Sequence, residues 1–74
     1  MKNKITQQHL QKHPEKLSRF DKVRIWSGEW GAWWRPNGNG YTDNIDYAGI
    51  FDAHEGWSYV RDCGPEKRIS LVAA

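Results

Sequence analysis

Lys22-Val23-Arg24-Ile25-Trp26-Ser27-Gly28-Glu29-Trp30-Gly31-Ala32-Trp33-Trp34-Arg35 is the stretch whose reading decides the fold. Its first six residues alternate polar and apolar, so Val23 and Ile25 share a face, as in a strand buried on one side. Ser27-Gly28-Glu29 carries turn chemistry. Trp30 to Arg35 then predicts a second strand, aromatic on both faces: Trp30, Ala32 and Trp34 point one way, Trp33 and Arg35 the other. Together the two runs predict an antiparallel hairpin. A domain this small cannot bury both faces equally, so at least one tryptophan is expected to be partly exposed or covered by the N-terminal segment.

On the N-terminal side, Thr6 suits the cap of a short helix over Gln7–Lys12. Pro14 disfavours helical geometry at His13 and can open a second turn running to Phe20, which would let Leu17 and Phe20 dock on the core. On the C-terminal side, Pro36-Asn37-Gly38-Asn39-Gly40 ends the strand, because Asn and Gly tolerate positive φ and Pro cannot extend a central ladder. Residues 36–49 form a long, polar, irregular connection, the kind that tends to carry function. Asp52-x-x-Glu55 has the form of a capping box, and Ala53, Trp57 and Val60 recur at helical spacing. A helix is predicted over about 53–62, stopped by Gly64-Pro65 and weakened by Gly56 by about 1 kcal/mol relative to alanine. Lys67 to Val72 predicts a final strand with Ile69 and Leu71 on one face. The expected fold is α+β: a small three-stranded antiparallel sheet with the 53–62 helix packed on it and a weak N-terminal helical segment. Residues 1–20 are read as a basic, weakly helical segment and 21–74 as a single α+β domain.

Seventy-four residues hold one domain with a small core. Cys63 is the sole cysteine, so no intrachain disulfide can form and a reducing compartment is expected. Large aromatics and homo-oligomerisation are the remaining aids to stability. Residues 1–20 do not resemble a signal peptide, and no run approaches the roughly 20 apolar residues of a membrane span. The expectation is a cytoplasmic protein that does not engage membrane. The net charge of +2 conceals a polarity: residues 1–24 carry seven Lys/Arg against two Asp/Glu, and residues 25–74 carry four against seven. Such asymmetry steers encounter with a charged partner, although a solvated basic helix explains it equally well.

Catalysis needs a nucleophile or an acid/base pair with support. His54 and Cys63 on one helix would lie about 13 Å apart along its axis, at 1.5 Å per residue. Cys63 also falls on the apolar face, where cysteine behaves as a small hydrophobe. His9 and His13 are four apart, but Pro14 disturbs the helix that would let them share a metal. Asp43, Asp46 and Asp52 lack the spacing of a calcium loop. The chain is therefore read as a non-enzyme without metal or cofactor. Arg35, the loop amides and Tyr41 suit an anionic or planar ligand such as a nucleotide; alternatively Arg35 lies over a tryptophan and fixes the loop. Trp26, Trp30, Trp33 and Trp34 interleaved with Arg24 and Arg35 suit single-stranded nucleic acid, where stacking is worth about 1–3 kcal/mol per base, but acidic residues in 43–55 oppose a polyanion. Aromatic and arginine side chains are also what the energetic centres of protein interfaces enrich. Five tryptophans exceed what so small a core requires, so protein–protein binding is the leading expectation. The expected contact residues are Trp30, Trp33, Trp34, Arg35, Asn37 and Tyr41, with Asp43 and Asp46 in an acidic loop that mimics nucleic-acid charge or docks on a basic partner.

Trp33-Trp34-Arg35-Pro36-Asn37, then Gly40-Tyr41-Thr42, then Ala48-Gly49-Ile50-Phe51 before Glu55 form a pattern. It resembles small phage- and prophage-encoded proteins and covers about residues 30–58. The resemblance implies an origin and no mechanism. Small phage proteins of this kind, anti-CRISPR proteins among them, often inhibit host defence by occupying a surface, and others sequester nucleotide signals. By that analogy the partner is a bacterial host protein and the site of action the host cytoplasm.

Overall fold

The computed structural model describes residues 3–74; residues 1 and 2 of the basic N-terminal segment lie outside the described residues. The chain runs through β1 (Lys4–Thr6), α1 (Gln7–Lys12), a 3₁₀ helix (Pro14–Arg19), β2 (Lys22–Ser27), β3 (Ala32–Trp34), β4 (Tyr41–Thr42), β5 (Phe51–Asp52), α2 (Ala53–Val60) and β6 (Ile69–Ala73). The strands make one antiparallel sheet in the order β1-β6-β2-β3-β4. The free edge of β2 is shared: β5 pairs with Lys22 and Val23, and β3 pairs with Trp26 and Ser27.

The α+β class and the antiparallel pairing agree with expectation, but the three-stranded sheet does not: six strands form among the described residues. The three strands beyond the expected sheet hold three, two and two residues. Alternation cannot show in runs so short, and each exists because a longer partner is already in place.

Register explains the core. Ile5, Leu71 and Ile25 lie opposite one another across β1, β6 and β2, and all three are buried. Leu10 of α1, Leu17 of the 3₁₀ helix, and Ala53 and Val60 of α2 close over this face. The N-terminal segment thus contributes a strand and two core leucines to the same core as the rest of the chain.

Local chemistry sets the ends of the elements. Thr6 Oγ1 accepts from His9 N at 3.2 Å and caps α1 as expected. Asp52 stands at the N-cap of α2 but makes no side-chain cap bond, so the capping box does not form. Its pairing in β5 turns the carboxylate to Lys22 Nζ, 3.7 Å away, and Ala53 N donates instead to Asp21 O. Gly56 has a purpose beyond its helix penalty: a Cβ there would sit 3.0 Å from Val23 Cγ2, so the glycine lets α2 approach β2 closely. Arg68, at φ 48°, delays the last strand to Ile69. No helix among the described residues is long and apolar enough to cross a membrane.

Candidate functional site: the aromatic rim of the β3–β4 hairpin

The hairpin is built by its turn. Trp34 pairs with Tyr41, and Arg35 N donates to Gly40 O at 2.9 Å. Gly38 N closes on Arg35 O at 3.0 Å, which places Pro36 and Asn37 at the centre of a tight turn. Asn37 has φ 60°, and a turn with proline followed by a positive-φ residue is of type II character. Arg35 Nε donates to Tyr41 O at 3.1 Å. Of the two roles expected for Arg35, its own hydrogen bond serves the loop-fixing one: the side chain clamps the hairpin that carries it.

After β4 the chain returns as a strap. Thr42 Oγ1 accepts from Asn44 N, and Asn44 Oδ1 accepts from Asp46 N, which starts a 3₁₀ turn at Ile45–Tyr47. The strap is then tied to β3 where Gly49 N donates to Trp34 O at 2.8 Å. A Cβ on Gly49 would lie 2.8 Å from Phe51 Cζ and 3.0 Å from Pro36 Cα. The Trp33–Asn37, Gly40–Thr42 and Ala48–Phe51 segments are therefore one piece of architecture: hairpin, turn, and strap folded back against both.

This architecture raises a row of aromatic rings on the same sheet face as the core, beyond the strands on which α2 chiefly packs. Tyr41 sits between Trp30, at 5.8 Å between ring centroids, and Trp34, at 6.3 Å and edge-on. Trp34 is half-buried and packs against the core, while Trp30 is 65% exposed and Tyr41 43%. The indole Nε1 of Trp34 is buried with no hydrogen-bond partner among the described residues. Beside the rim, the strap exposes Ile45 and Tyr47 together with Asp43 and Asp46.

The expected contact residues are thus sorted into groups. Trp30, Trp34 and Tyr41 come together; Arg35 and Asn37 build the turn beneath them; Asp43 and Asp46 stand on the strap. Trp33 goes elsewhere: it lies across from Trp26 on the other face of the sheet, 4.9 Å away and edge-to-face. Tyr47 of the strap, 61% exposed, is a further aromatic ring that sequence reasoning passed over. Its signal was a single aromatic ring within an otherwise polar loop.

The other candidate groups have local partners. Cys63 is half-buried, and burial pushes its thiol up, with Asp62 and Glu66 adding to the rise and Lys67 opposing it. His9 and His13 rings lie 5.0 Å apart, but His9 Nε2 is 2.9 Å from Lys16 Nζ. Compared with protein-family models, curated proteins and solved structures, the chain matches none of them.

Proposed function

We propose that this chain is a small binding protein that attaches to another protein through the Trp30–Tyr41–Trp34 rim and the adjoining Asp43–Asp46 strap. One observation carries the reading: Trp30 is 65% exposed yet held against Tyr41, so a large apolar ring is presented to solvent in a set orientation. Preorganised aromatic anchors cost little conformational entropy on binding, and interfaces concentrate their energy in such residues. The carboxylates of Asp43 and Asp46 beside the rim suit a partner with basic groups around an apolar pocket. The resemblance of residues 30–58 to phage and prophage proteins is the ground for seeking that partner in a bacterial host, among its defence proteins, with inhibition by occupancy as the mode of action.

The test is affinity capture from bacterial lysate with the wild-type chain and with Trp30→Ser/Tyr41→Ser, followed by titration of the purified partner. The wild type is expected to retain one protein in stoichiometric amount, with binding reduced at least tenfold in the double variant. A double variant that keeps the wild-type circular dichroism spectrum and also keeps full affinity would overturn the assignment.

A further inference from the structure

The helices cover one face of the sheet, and the face they leave bare has a composition of its own. Strand register places two rows on it. Lys4, Val72 and Arg24 form one; Thr6, Ser70, Trp26, Trp33 and Thr42 form the other, running across β1, β6, β2, β3 and β4, with Ser70 and Thr42 buried and the remaining residues open to solvent in part or in full. At the centre stand Trp26 and Trp33, both half-buried and packed edge-to-face. Next to them Arg24 holds its Nε buried with no hydrogen-bond partner, and the residue makes no ion pair among the described residues. The carboxylate that register brings to this face, Asp52, is matched by Lys22 at 3.7 Å. Asp43 and Asp46 belong to the strap beyond β4, past the far end of the row.

The positive charge continues around the edge of the sheet. Lys4 and Thr6 also line a cleft of about 290 Å³ with His9, Lys16 and Arg19, and no carboxylate lines it. Lys4, Lys16 and Arg19 make no ion pair among the described residues. Lys16 Nζ lies 2.9 Å from His9 Nε2 and is the largest cause holding that imidazole below its ordinary pKa.

We propose that the bare face binds single-stranded nucleic acid, with bases stacked on Trp26 and Trp33 and the phosphate backbone led past Arg24 and Lys4 into the Lys16–Arg19 cleft. From β3 to β1 is three interstrand spacings, about 14 Å, enough for a few nucleotides. Indoles offer a sequence-tolerant stacking surface, and unneutralised cations beside them supply the electrostatic track that single strands require. This surface is separate from the rim, which lies on the opposite face. Each can fail without the other.

The experiment titrates the full chain at low salt with a fluorescein-labelled oligothymidine of about twelve nucleotides, and with a duplex of equal length. Expected are saturable binding with quenching of indole emission and weaker binding of the duplex. Trp33→Ala and Trp26→Ala should each weaken binding about tenfold. Arg24→Gln with Lys4→Gln should reduce the slope of log affinity against log salt by about 0.7 per cation removed. Trp30→Ser/Tyr41→Ser should bind as the wild type does. Absence of binding, equal affinity for the duplex, or a sedimenting dimer whose contact covers Trp33 would each overturn the proposal. Should the tryptophan variants fail to fold, a folded Arg24→Gln/Lys4→Gln variant with unchanged affinity and slope would do the same.

Discussion

The side-chain amide of Gln7 donates to the carbonyl of Cys63 at 2.7 Å, and the same nitrogen lies 3.1 Å from Val60 O and 3.2 Å from Arg61 O. Val60 O also accepts from Cys63 N and Arg61 O from Gln11 Nε2, so Cys63 O is the carbonyl that rests on this first residue of α1 alone among the described residues. Gln7 is only 2% exposed, so water cannot substitute for it. Gln7→Ala is expected to cost about 1–3 kcal/mol, the penalty for leaving the Cys63 carbonyl without its donor. Gln7→Glu should cost more at neutral pH, since an ionised carboxylate has no hydrogen to donate and would face carbonyl oxygens. Urea denaturation of both variants checks this; wild-type stability in Gln7→Glu would remove the cap from the account.

Gly49 has no room for a side chain. A single methyl would meet the Phe51 ring and the Pro36 backbone at 3.0 Å or less. Gly49→Ala is expected to displace Phe51 and cost about 1–3 kcal/mol, as overpacking does. Amide exchange should accelerate at Gly49, whose N–H bonds Trp34 O. Unchanged stability and unchanged exchange would show that the strap is not held against the hairpin.

Trp30 and Trp34 share the neighbour Tyr41 but differ in burial. Trp30→Ser should cost about 1 kcal/mol or less, the scale of one aromatic pair. Trp34→Ser removes packing against the core and should cost about 2 kcal/mol or more. Equal losses in chemical denaturation would contradict the exposure assigned to the rim.

His9 is held below its ordinary pKa of 6.5 by Lys16 first, then by partial burial and by His13, Arg19 and Lys12. A depressed histidine pKa means that the unfolded chain takes up the proton more readily than the folded one. The contribution of His9 to stability is therefore undiminished above pH 6.5 and declines as pH falls from there through its folded value. Lys16→Gln should raise the His9 pKa and lessen that decline. Histidine titration by NMR in the two proteins checks the direction, and an unmoved His9 would remove Lys16 as the cause.

Much of the fold was legible because it is written in long patterns. The alternation of 22–27, the adjacency of Trp33 and Trp34 on opposite faces, and the Thr6 cap with its helix over Gln7–Lys12 all stand in the structure. β1 and β5 were not legible, since their strand character is borrowed: Ile5, isolated among polar residues, becomes core only because Leu71 and Ile25 lie beside it. Gly56 looked like a flaw in a helix until the distance to Val23 was known. At the candidate site, residue types and the separation of Trp33 from Trp34 were legible, and the seating of Tyr41 between Trp30 and Trp34 was not. Alternation had already set Trp33 apart from Trp30 and Trp34; which of the two faces the helices would cover depends on contacts from Leu10, Leu17 and Val60, and that was not written in the strand.

β6, the last strand along the chain, lies between β1 and β2 in the sheet. β1 has no other partner in the sheet, so it cannot join until β6 has been made. Until then Ile5 and Ile25 lack the strand that lies between them, and that side of the core is open to chaperones and proteases. Closure of this sheet therefore comes after all its other strands have been made, and a stall in translation before β6 would leave β1 without a partner and the core open on that side.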